Sequence, residues 1–194
     1  MMKIPCVGLA LLAVGLLGFT TSADAQTISL ASNQTFEVGD PSSPVGEVRI
    51  ADSGTPQITR AGDVRVRIPS AFNGTWDTSV GVVSIGGSAT DKVSEAVRYE
   101  DGGRTMVLDV TADFEANDEI TISGARLTDF TDASRANRLE LIVGSNGQVT
   151  GTTDEDMRVL RGGSADLAIH LMWGGKRQHF ESVDVSHLYE WEEL

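Results

Sequence analysis

The side chains best suited to hold a ligand gather around one tryptophan. Trp76 follows Asn73-Gly74-Thr75 and precedes Asp77, on a stretch that reads as a loop. An exposed indole stacks on the apolar face of a sugar ring while amide and carboxylate groups hold the hydroxyls. Asn73, Trp76 and Asp77 are therefore a candidate glycan-binding set. The competing reading is that Trp76 plugs one end of a core, because large aromatics are buried on average. A second set is acidic: Asp113, Glu115, Asn117, Asp118 and Glu119 in one loop, Asp154, Glu155 and Asp156 in another. Calcium takes about six to eight oxygens from carboxylates and carbonyls, which makes it the one candidate cofactor. Neither loop has the Asp-x-Asp-x-Asp-Gly spacing with a closing Glu, so a solvated acidic turn competes with calcium here.

Other chemistries find little support. His170, His179 and His187 lack the i, i+4 spacing of helical zinc ligands and the tight pairing of structural zinc sites. There is no Gly-x-Ser-x-Gly elbow, and the single cysteine, Cys6, lies near the amino terminus. No glycine-rich phosphate loop passes from a strand into a helix. Two carboxylates could meet in a cleft as in glycosidases, but few aromatics remain to line one. The expectation is a non-catalytic protein. Asn73-Gly74-Thr75 and Asn33-Gln34-Thr35 match the N-glycosylation pattern, a three-residue match that arises often by chance.

The carrier of these residues reads as an exported domain. Lys3, the apolar run Ile4 to Phe19 and the small residues of Ala23-Asp24-Ala25 have the order of a signal peptide cleaved after Ala25. The run is shorter than the roughly 20 residues of a membrane-spanning helix, and no later segment approaches that length. Residues 1–25 are thus assigned to the signal, 26–160 to one domain and 161–194 to a carboxy-terminal extension. The expected address is secreted, extracellular or cell-surface, with the periplasm as the alternative. Without cysteine past the signal, the domain has to be held by its apolar core. Fifteen Lys and Arg against 28 Asp and Glu give a net charge of −13, which repels nucleic acid.

The elements that would position the candidate sites are strands. Candidates are Ile28–Ala31, Thr35–Val38, Val45–Ala51, Val64–Ile68, Val80–Ile85, Lys92–Tyr99, Thr105–Val110, Glu119–Ser123, Leu139–Val143 and Met157–Leu160. Spacings of about 8–12 residues with turn residues between them indicate an antiparallel sandwich or barrel. In Asp63–Ile68, Val64, Val66 and Ile68 face one way and Arg65 and Arg67 the other, and Pro69 closes the strand. Glu100-Asp101-Gly102-Gly103 marks a hairpin between the strands ending at Tyr99 and beginning at Thr105. Ala133–Arg138 reads as a single helical turn. In the extension, Leu167–Trp173 could pair with Phe180–Val185 as a further hairpin, or the tail is loose.

Asp63-Val64-Arg65-Val66-Arg67-Ile68-Pro69, then Phe72-Asn73-Gly74-Thr75-Trp76-Asp77, resemble a signature of exported immunoglobulin-like β-sandwich modules of bacterial and archaeal cell-surface proteins. Ile85-Gly86-Gly87, Tyr99-Glu100-Asp101-Gly102, Leu108-Asp109-Val110, Ile120–Gly124, Leu139-Glu140-Leu141 and Gly147-Gln148-Val149-Thr150 extend it over about residues 28–160. The resemblance implies an all-β fold, an antiparallel sandwich of immunoglobulin-like or jelly-roll type. It brings no activity, and the chain holds one copy where such modules often repeat. The expectation is a structural or adhesive surface module, its partners being other cell-surface or matrix protein subunits, with Ile28–Ala31 or Leu167–Trp173 engaged in strand addition. The alternative is a carbohydrate-binding module that uses Trp76.

Overall fold

The structure, a computed structural model, describes residues 25–144 and 147–161, together with the backbone of strands at 171–173 and 176–178. Residues 1–24 of the stretch expected to be a signal peptide, all three histidines and Phe180–Val185 lie outside the described residues. The strands in chain order are β1 (Thr27–Leu30), β2 (Gln34–Glu37), β3 (Ser43–Pro44), β4 (Val48–Ala51), β5 (Val64–Arg67) and β6 (Thr75–Trp76). They continue with β7 (Ser84–Gly86), β8 (Val93–Glu100), β9 (Thr105–Val110), β10 (Glu119–Ser123), β11 (Arg126–Thr128) and β12 (Ser134–Asn137). The last are β13 (Glu140–Val143), β14 (Val149–Thr152), β15 (Met157–Leu160), β16 (Leu171–Trp173) and β17 (Lys176–Gln178). Among the described residues the helical pieces are two single turns, Thr90–Lys92 and Asp101–Gly103. The fold is an all-β sandwich.

Two sheets carry the core. One has the order β1-β4-β10-β7, the other β14-β13-β5-β9-β8. Alternation explains their packing: Val64 and Val66 are fully buried while Arg65 and Arg67 point out, as the sequence requires of a strand with one wet face. Val48, Ile50, Ile120 and Ile122 join Met106, Leu108 and Leu141 in one apolar cluster. On the outer face Arg65 lies in register between Val107 and Ile142, both buried, and its stem covers them. Its head bonds to Asp63 at 3.1 Å and Glu100 at 3.3 Å, and Arg98 reaches the same two carboxylates and Asp109. These pairs are half-exposed, so their worth lies in covering apolar surface more than in Coulomb energy.

Two three-stranded sheets flank the pair. β3 and β4 run alongside β10 and β11 in one continuous register, from Ile122 opposite Val48 to Arg126 opposite Pro44. At the break, Gly124 takes φ +88°, and the Val45 N–H donates to the Ala125 carbonyl at 3.0 Å. The second half of this ribbon belongs to the sheet β3-β11-β6, which places Trp76 opposite Leu127. The other, β12-β15-β2, turns Phe36, Met157 and Val159 inward. In it β15 runs parallel to β2, the exception to an otherwise antiparallel set of pairings among the described residues.

The structure corrects three expectations. Ala133–Arg138 is no helical turn: Ser134–Asn137 pairs with β15 across a bulge. Its residues alternate with no apolar stripe of helical period, and a neighbouring strand supplies the hydrogen bonds a helix would have made internally. The carboxy-terminal hairpin is tighter than expected, Leu171–Trp173 pairing with Lys176–Gln178. Val80–Ile85 is a strand only from Ser84; before it, Gly81–Val83 bridges to β8 instead.

Trp76 is the largest side chain in the core, 1 % exposed, and its Nε1–H donates to the Val66 carbonyl at 3.1 Å. Trp76→Phe removes that donor and leaves a void. The expected loss is about 2 kcal/mol in urea unfolding with an unchanged m-value.

Candidate functional site

The stretch around Trp76 is built from within. Phe72 is buried edge-on to Phe36 at 6.3 Å, and Phe36 stacks on Phe130 at 4.7 Å. Gly74 lies against these rings: a Cβ there would sit 2.8 Å from Phe72 and 3.1 Å from Phe130. Between them, Asn73 Oδ1 accepts from the Thr131 hydroxyl at 3.1 Å, and the Thr75 hydroxyl donates to Asp129 at 2.8 Å. Asp77 accepts from the hydroxyls of Ser42 and Ser79 and from the Ser79 N–H. The Ser42 bond first, then those of Ser79, hold its carboxyl below the usual aspartate range. Arg126 in turn donates to Ser42. Trp76 is therefore a strand residue inside the core, not an exposed loop residue, and its face is closed to a sugar. Asn73 and Asp77 serve as fasteners between loops. This corrects the glycan-binding expectation: a buried indole is worth more as packing plus one hydrogen bond than as a wet platform.

Two carboxylates of the acidic stretch meet a cation that the chain itself supplies. Asp118 accepts from Lys92 Nζ at 2.7 Å, from the Glu115 N–H at 2.8 Å and from the Ser88 hydroxyl at 3.0 Å. Glu115 comes to 3.7 Å from the same ammonium. Asp113 accepts from the Arg60 N–H, Asn117 takes the left-handed turn position with φ 63°, and Glu119 pairs with Arg49. Glu155 of the other loop pairs with Arg138, and burial, then the neighbouring Asp154, push the Asp156 carboxyl up. Among the described residues no three metal-ligating side chains come together. The sequence grouped these residues as one acidic loop, whereas Glu119 opens β10, and it left Lys92, 21 residues before Asp113, out of the set.

One organising residue gave no signal of its own. Asp52 is 5 % exposed and accepts from the N–H groups of Ser53, Gln57 and Ile58 at 2.8, 3.0 and 2.9 Å. In the sequence Asp52-Ser53-Gly54 reads only as a turn. A cleft of about 450 Å³ is lined by Arg67, Ser70, Asp101, Arg104 and Glu140 among others. Its charged groups are engaged: Arg67 on Glu140, Arg104 on the Pro69 and Phe72 carbonyls, and Asp101 on Thr105.

The sheet edges differ in how the chain covers them. β8 is covered by Gly81–Val83, through Val83 N–H to Glu95 and Val97 N–H to Gly81. β14 packs its backbone on the start of β1, so closely that a Cβ on Gly151 would meet the Gln26 carbonyl at 2.8 Å. On β2 the Asp40 carboxylate takes the Glu37 N–H at 2.8 Å. β12 pairs with β15 on one side and, among the described residues, with no strand on the other. Beside it is an open hollow of about 440 Å³ bordered by Ala133, Arg135, Ala136, Arg158, Leu160 and Arg161, with no carboxylate in its lining. Leu160 is 44 % exposed there, and the Ser134 hydroxyl is buried without a partner.

No family model matches the chain, and no curated protein matches it. Among solved structures, one chain of the crystal structure of a CaDoc0917–CaCohA2 complex at pH 5.5, its CaDoc0917 carrying one substitution, aligns with it. That alignment has 12 % identity and a TM-score of 0.29, over 70 % of this chain and 99 % of that chain. A likeness this slight carries no functional conclusion.

The Lys92–Asp118 pair sets a pH dependence. The bond to Lys92 first, then the Glu115 N–H, lowers the Asp118 carboxyl, and the bond to Asp118 raises the Lys92 ammonium. The Asp118 contribution is therefore present above its unfolded value near 4 and lost as pH falls through its depressed folded value. The Lys92 contribution is present at neutral pH and lost as pH rises through its raised value. In Lys92→Met the urea midpoint should fall at pH 7, and less of what remains should be lost on going to pH 3. Because Lys92 already pairs with Asp118 and lies near Glu115, while Asp113 and Glu119 have other partners, millimolar calcium should leave the wild-type midpoint where chelator leaves it; a raised midpoint would restore the calcium reading.

Proposed function

We propose that the chain is an exported, non-catalytic structural or adhesive module that binds another protein subunit by accepting a strand at the outer edge of β12. The observation that carries this reading is the contrast among edges. Among the described residues, the chain covers or caps β8, β14 and β2 with its own backbone and side chains and leaves β12 open beside an apolar, arginine-bordered hollow. A free edge presents a row of N–H and C=O groups that another chain satisfies at little structural cost. The added strand gains main-chain hydrogen bonds, and the hollow selects its side chains. Ile28–Ala31 is a poorer acceptor, since β14 packs against the start of β1. The export signal read at residues 1–25 supports an address outside the cytoplasm, where other surface or matrix subunits are the partners at hand. Buried Trp76 leaves the glycan alternative without its platform.

A photo-crosslinking residue in place of Arg135, in the cells that make the protein, tests the proposal. The expected result is a discrete covalent adduct with another exported subunit, absent when the same group replaces Val82 beside the covered edge. No adduct from position 135, or the same adducts from both positions, would overturn it.

A further inference from the structure

The chemistry of the accepted strand can be read from the register of β12 on β15, and the step rests on the strand-accepting role just proposed. Ser134 lies opposite Val159 and Asn137 opposite Met157, so between them two residues of β12, Arg135 and Ala136, face one residue of β15, Arg158. A bulge of this kind re-aims side chains, and here it leaves Arg135 and Ala136 both exposed. On β15, alternation buries Met157 and Val159 and turns Arg158 and Leu160 out. The two arginines are therefore neighbours across one ladder, both turned to solvent. Like charges in that relation are destabilising.

The described residues do little to offset this. Arg158 donates to the Thr35 hydroxyl at 3.2 Å, and Arg135 has no side-chain bond among the described residues. Asp132 nearby belongs to Arg161 at 3.1 Å. Glu37, opposite Leu160, lies on β2, across β15 from β12. The hollow between these groups has no carboxylate in its lining, and its apolar part is Ala133, Ala136 and the half-exposed Leu160.

We infer that the strand accepted at β12 is acidic. It carries an aspartate or glutamate beside Arg135 and Arg158, and an aliphatic side chain two positions away against Ala133 and Leu160. Period two puts both of those side chains on one face of the incoming strand. Guanidinium groups hold a carboxylate through paired N–H donors, and one carboxylate between two arginines offsets their mutual repulsion. The same arginine pair turns away a basic strand. The partner is a different subunit that presents such a segment. Two copies of this chain, each of net charge −13, repel one another before their edges can meet.

A photo-crosslinking residue in place of Ala136 keeps all three arginines, and position 133 repeats the reading should the bulge be disturbed. In the cells that make the protein, the expected adduct is with another exported subunit, through a stretch that holds an aspartate or glutamate with an aliphatic residue two positions away. Arg135→Glu and Arg158→Glu should each lower the adduct yield several-fold. The urea midpoint of the purified protein should meanwhile stay level or rise, because each reversal removes the like-charged pair. Arg135→Lys should keep the adduct. A yield indifferent to both reversals, or an adduct stretch without a carboxylate, overturns the inference and leaves strand acceptance standing. An adduct with a second copy also overturns it and assigns the edge to self-association. No adduct from positions 133, 135 and 136 overturns strand acceptance itself, and this inference with it.

Discussion

The hydrogen bond from the Trp76 indole to the Val66 carbonyl joins the two parts of the molecule that the chain builds separately. Val66 belongs to the middle strand of the five-stranded sheet, and Trp76 to a two-residue strand at the margin of a flanking sheet. A strand that short contributes little through its own ladder. It is held because a large apolar ring reaches into the core and its one polar atom finds an acceptor there, which a buried indole requires. Gly74 and the stacked Phe36 and Phe130 fix the approach from one side, and Asp77 with Ser42 and Arg126 fixes it from the other. With no cysteine beyond Cys6, the sandwich depends on such packing for its closure.

Alternation made much of this fold legible. Val64–Ile68, Glu119–Ser123 and Met157–Leu160 declare their buried faces through every second residue, and Asp101-Gly102-Gly103 marks its hairpin through three successive left-handed positions. The strands that escaped notice, β3, β6, β11, β12, β14 and β17, are two to four residues long. A period cannot be read over so few positions, and each exists because a neighbouring strand supplies the hydrogen bonds. The parallel pairing of β15 with β2 is likewise a tertiary fact: it joins segments far apart in the chain, and nothing local in either announces direction.

The candidate sites failed to be legible for a different reason. Residue type describes what a side chain can bond to, not what already fills that capacity. Asn73, Trp76 and Asp77 have the chemistry of a sugar site, yet Thr131, Val66 and Ser42 satisfy them inside the protein. The β12 edge has the opposite character. Ser134-Arg135-Ala136-Asn137 contains no residue that chemistry would single out, and its interest lies in backbone groups that a sequence does not distinguish from any others. Closure of the neighbouring edges is what gives it meaning.

The acidity of the chain follows from the same logic. A carboxylate is the strongest acceptor available to a backbone N–H, and a loop leaving a strand has N–H groups without ladder partners. Asp52 gathers three of them, Asp118 holds Glu115, and Asp40 caps Glu37. Asp101, Asn117 and Asp129 take positive φ, where their short side chains cost less than most others. Many acids in this protein therefore act locally, as organisers of turns between strands. Local use of negative charge leaves several cations to other partners: among the described residues Arg104 donates to the Pro69 and Phe72 carbonyls, Arg126 to Ser42 and Arg158 to the Thr35 hydroxyl, the last beside an edge that no described strand has closed.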